Sequence, residues 1–143
     1  MIDSGVVSIG AHTHTHEDFR GRPHEFRADL EACVDFLRGE YDLENVPFAF
    51  PFGSPERRFA GPELVAAVKR TSVVCGLTTD PVLVDMSGDS FCWGRFNAFS
   101  WDTCHTLAAK LDGWYSWAPG AKRTVQKLCS RSSTAGPAQM GGR

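Results

Sequence analysis

"VVSIGAHTHTHEDF", Val6 to Phe19, decides how the rest of the chain is read: an apolar run gives way to three histidines at alternate positions. Val6 to Ala11 has the length and apolar content of a buried strand, which puts His12, His14 and His16 on a strand exit. In parallel α/β sheets the carboxyl ends of strands are where sites are built, so position as well as composition marks these residues. Neutral imidazole is the commonest biological metal ligand, and a site needs several such groups converging on one ion. If the backbone makes one helical turn, His12 and His16 share a face and His14 points about 200° away from His12. If the backbone stays extended, all three share a side. The spacing alone leaves both arrangements open. The plain alternative is a set of surface histidines on a polar turn; three in five positions at the end of an apolar strand favour a metal site.

Outward from this stretch, Phe26, Leu30, Cys33, Val34 and Leu37 recur three or four apart, which predicts an amphipathic helix from Arg22 to Glu40 with Pro23 in its first turn and Gly39 near its end. "VPFAFPFG", Val46 to Gly53, reads as an aromatic-rich strand stopped by Pro51 and turned by Gly53. Leu64, Val65 and Val68 behind Pro62 predict a second helix to about Arg70, and Ser72 to Thr79 a further buried strand. "FCWGRFNAF", Phe91 to Phe99, offers another strand, and Asp102 or Thr103 can cap a helix through Leu111. Strand and helix in alternation imply an α/β fold with parallel pairing. Residues 1–117 are expected to form one domain. Residues 118–143, with the small, polar and aperiodic run "SRSSTAGPAQMGGR", are expected to be a disordered tail.

Composition narrows the function classes. The 143 residues are 42% hydrophobic and 22% charged, with a formal charge of −2. No basic stripe of the kind that tracks phosphates is present, so a nucleic-acid partner is not expected. The absence of a long apolar run or a basic, apolar leader in these residues gives the expectation of no membrane partner and, by default, a cytoplasmic location. The five cysteines form no C-x-x-C pair and read as buried or incidental thiols. Nothing in the sequence fixes an oligomeric state.

Taken together, "IGAHTHTHEDF" and "FAFPFG" resemble the histidine motif, H-[S/T]-x-x-H, and the aromatic-Pro-aromatic-Gly turn of the polysaccharide deacetylases, the NodB-homology or carbohydrate esterase group. "GLTTD" and "WGRFN" follow in the family's order, so the likeness runs from about Ile2 to Asp112. The resemblance implies a distorted (β/α) barrel, a divalent metal ion, usually zinc, with His12 and His16 as ligands, and a variable middle position at His14. It implies hydrolysis of an N-acetyl or O-acetyl group on a carbohydrate substrate. Phe50, Pro51, Phe52 and Gly53 at the second motif, with Trp93 and Arg95 later, are the candidate substrate contacts.

The family's first motif, a Thr-Phe-Asp-Asp stretch ahead of the histidines, supplies a catalytic base and a third ligand. Asp3 is the only carboxylate ahead of His12 and lies before the strand, so it takes neither role and no catalytic residue is assigned. A catalytic zinc site normally has three protein ligands, and a whole barrel of this kind takes about 200 residues or more. Both point to a partial barrel lacking its N-terminal strands, with the base supplied from upstream. The family's arginine at the second motif is also replaced, and Arg95 is the available guanidinium. His105, in a predicted helix, is expected to be solvated or capping. The alternative function is a catalytically inactive carbohydrate-binding module on the same scaffold; a structural or adventitious metal site is the third possibility.

Overall fold

The computed structural model describes residues 4–114; the expected tail, 118–143, lies outside them. In chain order the elements are α1 (Pro23–Tyr41), β1 (Phe48–Ala49), α2 (Pro62–Val68), β2 (Gly76–Leu77) and α3 (Cys104–Leu111). β1 and β2 pair in parallel, Phe48 opposite Gly76 and Ala49 opposite Leu77. Single parallel bridges extend the sheet on both sides, Ala11 to Phe48 and Leu77 to Trp93. Four segments therefore lie side by side in chain order, all pointing the same way, with α1 and α2 in the connections. Among the described residues this sheet does not close into a barrel.

The register assigns the two faces. Side chains alternate along a strand, so Ala11, Phe48 and Gly76 share one face, while His12, Ala49, Leu77 and Trp93 form a row on the other. The first face carries the core. Phe26, Leu30, Val34 and Leu37 of α1 and Leu64, Val65, Ala67 and Val68 of α2 are buried in one cluster with Phe48 and Phe50. Phe26 lies at its centre, with ring centroids 5.8 Å from Phe48 and 6.1 Å from Phe50.

α1 ends later than expected. It runs through Gly39 and stops at Asp42, which takes the left-handed conformation (φ 52°, ψ 44°) while its amide donates to the Arg38 carbonyl. Asp is one of the few residues with a side chain that enters this region readily. α3 matches its cap: the Thr103 hydroxyl accepts from the Thr106 amide, and the Thr106 hydroxyl accepts from the Thr103 amide.

The strands are much shorter than their apolar runs predicted. Val6 to Ala11 is a strand only at Ala11, and Val6 is 86% exposed. The reason lies in the neighbour. Ala11 donates to the Pro47 carbonyl and accepts from the Ala49 amide, but Pro47 has no N–H to continue the ladder towards Ile9. Phe91 to Phe99 is likewise reduced to a bridge at Trp93. The Asp89 carboxylate accepts from the Phe91 amide and the Asp89 carbonyl from the Cys92 amide, a turn that uses the groups a strand would need. Beyond it, a Cβ at Gly94 would lie 2.5 Å from the Asp80 carbonyl oxygen; only glycine allows this approach.

Candidate functional site

Neither the helical turn nor the extended chain describes the histidine stretch. Thr13 (φ 65°) and His16 (φ 57°) are both left-handed, and the loop between them folds over so that the His16 amide donates to the Thr13 hydroxyl at 3.1 Å. Thr13 is buried at 8% exposure, which anchors the turn. The consequence is that the outer histidines converge: the His12 and His16 ring centroids are 4.9 Å apart. A zinc–nitrogen bond of about 2.0–2.1 Å puts a ring centroid roughly 3.2 Å from the ion, so two ligands at a tetrahedral angle have centroids about 5 Å apart. The observed pair fits that spacing.

His12 is also oriented. Its Nδ1 lies 2.7 Å from the Ala49 carbonyl oxygen, an acceptor only, so Nδ1 carries the proton and donates. Nε2 is then the nitrogen with a free lone pair. This is the arrangement by which a carbonyl fixes the tautomer of a metal-binding imidazole. His14 is exposed, and what the structure uses is its backbone: one oxygen of Asp29, on α1, accepts from the His14 amide at 2.6 Å and the Thr15 amide at 3.3 Å. Asp29 and Thr13 were not among the sequence-based candidates. Asp29 reads in sequence as one more polar residue on the outer face of α1, and Thr13 as a spacer; only the fold brings them to the loop.

The second motif meets the first in space. Phe52 packs its ring edge-on to His16 with centroids 5.0 Å apart, from a backbone that is left-handed at both Phe52 (φ 60°) and Gly53 (φ 54°). At Gly53 the conformation is free; at Phe52 it is strained. Three of the five non-glycine residues with positive φ among the described residues, namely Thr13, His16 and Phe52, thus gather around these two rings. The rest of the motif faces elsewhere. Phe50 is fully buried, its ring 4.8 Å from that of Phe48, and Pro51 is buried beside it; neither lines the cleft beside His12, and both support the turn from beneath.

On the sheet face away from the helices lies an open cleft of about 320 Å³, lined by His12, Ala49, Leu77 and Arg95 among others. Among the described residues, the Arg95 Nε and the Trp93 indole Nε1 are both buried without a hydrogen-bond partner. Of the two, only Arg95 lines the cleft, and a desolvated donor there calls for an acceptor. The carboxylates next to His16 are committed: Glu17 pairs with Arg22 at 3.2 Å and Asp18 with Arg20 at 2.5 Å. The bond from Arg20, more than any other cause, holds the Asp18 carboxyl down to about 2. Among the described residues no third His, Cys, Asp or Glu joins the histidine pair. His105 is exposed on α3, in keeping with a solvated role.

No family model matches the chain, and neither a curated protein nor a solved structure matches it significantly.

Proposed function

We propose that the chain contributes the histidine half of a metal-dependent hydrolase site that removes acetyl groups from a carbohydrate, on part of a distorted (β/α) barrel of the polysaccharide deacetylase type. The observation that carries this reading is the convergence of His12 and His16, with His12 held by the Ala49 carbonyl and His16 packed on Phe52 of the second motif. A divalent ion, zinc by preference for its tetrahedral nitrogen chemistry, would be held by His12 Nε2 and His16. When bound, it supplies Lewis acidity that polarises an acetyl carbonyl and lowers the pKa of water. The chain's own residues do the rest. Ala49 and Asp29 fix the ligand loop, Phe52 packs on His16, and Arg95, which lines the cleft, offers its unpartnered Nε to an acceptor there. No general base or third ligand is assigned: Glu17 and Asp18 are engaged by arginines, and among the described residues no other carboxylate joins the histidine pair.

Zinc titration of the chain and of three single variants tests the reading. His12→Ala and His16→Ala should each weaken binding by on the order of tenfold or more, and His14→Ala should leave it unchanged. Equal losses from all three would reduce the stretch to an adventitious chelator.

The engagement of Glu17 and Asp18 by arginines favours one alternative, a carbohydrate-binding module on the same scaffold without catalysis. Calorimetry with acetylated oligosaccharides, beside an assay for released acetate with zinc present, separates the two: binding without turnover selects the module.

A further inference from the structure

The loop from Asn97 to Asp102, with α3 behind it, carries a feature that the histidine site does not use; none of its residues lines the cleft beside His12. Phe99 and Trp101 lie face to face, with ring centroids 4.7 Å apart and planes 6° from parallel. They are also in the open, Trp101 at 74% exposure and Phe99 at 46%. Exposed aromatic rings on a loose loop would be ordinary; this loop is braced. The Asp102 carboxylate, its side chain 7% exposed, accepts from the Phe99 amide at 2.7 Å, the Thr106 hydroxyl at 3.1 Å and the Lys110 ammonium at 2.5 Å. Lys110 donates again to the Asn97 carbonyl at 2.9 Å and sits 5.0 Å from the Phe99 ring centroid. The capping box at Thr103 and Thr106 ties the same loop to the start of α3.

The result is a braced flat surface, with one face of the indole on Phe99 and the other uncovered among the described residues. A pyranose ring offers a matching flat face of C–H groups, whose partial positive charge suits the negative π face of an indole. Exposed Asn97 and Ser100 flank the rings in the chain and can bond hydroxyls. Charge argues against a lipid surface. Between Asn97 and Trp114 the only Lys or Arg is Lys110, already bound to Asp102, and Asp112 adds a negative charge, whereas anionic bilayers recruit clustered cations.

We propose that Phe99 and Trp101 form a stacking platform for one sugar unit of an acetylated glycan, a binding site additional to the histidine pair. The choice of an acetylated glycan rests on the function proposed above; the platform rests on its own geometry.

Calorimetric titration of the chain with the hexamer of N-acetylglucosamine tests the platform. Binding should weaken several-fold to about tenfold in Trp101→Ala, the range expected for loss of one stacked ring, and largely persist in Trp101→Phe. Trp101-dependent binding of the hexamer by a chain that neither binds zinc nor releases acetate counts against the hydrolase alone. Unchanged hexamer binding in Trp101→Ala overturns the platform, as does failure of the unsubstituted chain to bind the hexamer. Equal affinity for the glucose hexamer overturns the acetylated glycan. Trp101-dependent binding to phosphatidylserine vesicles, or Trp101-dependent self-association in sedimentation, replaces the glycan with that occupant.

Discussion

Asp29 is the residue on which the geometry of the histidine loop turns, although it touches neither imidazole. Its carboxylate holds the two amides between His12 and His16, so the convergence of the rings depends on a side chain from α1. Groups that orient metal ligands typically cost about 10–100-fold in affinity when removed. Asp29→Ala should therefore weaken zinc binding by about that range in a competition assay, while Asp29→Asn, which still accepts from both amides, should retain most of it. Far-ultraviolet circular dichroism of both variants should match the parent, because Asp29 lies outside the buried cluster that α1 contributes to. Phe50 gives the opposite case. It was a candidate ligand contact by its motif, yet it fills the space between Phe26 and Phe48. Phe50→Ala should cost about 3–5 kcal/mol of stability by leaving a ring-sized void, measured by urea unfolding. The histidine pair was legible from the strand exit and the resemblance. The supports were not, because Asp29 and Ala49 come to the loop through long-range contacts that no local pattern encodes.

The helices were legible because their signal is periodic. Of the apolar positions of α1 that recur three or four apart, Phe26, Leu30, Val34 and Leu37 are buried and Cys33 is half-buried, and a Thr at the predicted cap does cap α3. The strands were over-read because a short apolar run states burial and says nothing of hydrogen-bond partners. Pro47 cuts the ladder beside Ile9, and the turn at Asp89 cuts the one before Trp93. Close approach is also decided at this scale. Gly94→Ala should destabilise the protein by about 1–3 kcal/mol, the usual cost of overpacking, and shift the Arg95 backbone, whose amide donates to Asp80. Thermal unfolding measures the first effect and amide chemical shifts the second. The Asp102 brace has a pH signature. The Lys110 bond, followed by the Phe99 amide, holds the Asp102 carboxyl below the usual carboxylate range. Because the folded value lies below the unfolded one, the stabilisation is fully present above the unfolded value and is lost as pH falls through the folded one. The stability of Asp102→Asn should therefore fall less than that of the parent as the solution is acidified through and below the usual carboxylate range, as followed by acid titration of near-ultraviolet circular dichroism.

Across the molecule, burial is unevenly shared. α1, β1 and α2 enclose the core, whereas α3 has no buried side chain and depends on its cap and the Asp102–Lys110 pair. Stability should be layered accordingly. In hydrogen exchange, the amides of Leu30 and Val34 should open only with global unfolding, and those of Leu107 and Asp112 should exchange much faster by local opening of α3. Comparable protection in the two regions would count against this division. None of the described helices is long and apolar enough to cross a membrane. The order of the parallel segments has one more consequence. Ala11 meets β1, β1 meets β2, and β2 meets Trp93, so each segment pairs with the one made just before it. Synthesis from the N-terminus delivers each segment onto an edge already in place. The sheet can grow as the chain leaves the ribosome, with no need to wait for a distant partner.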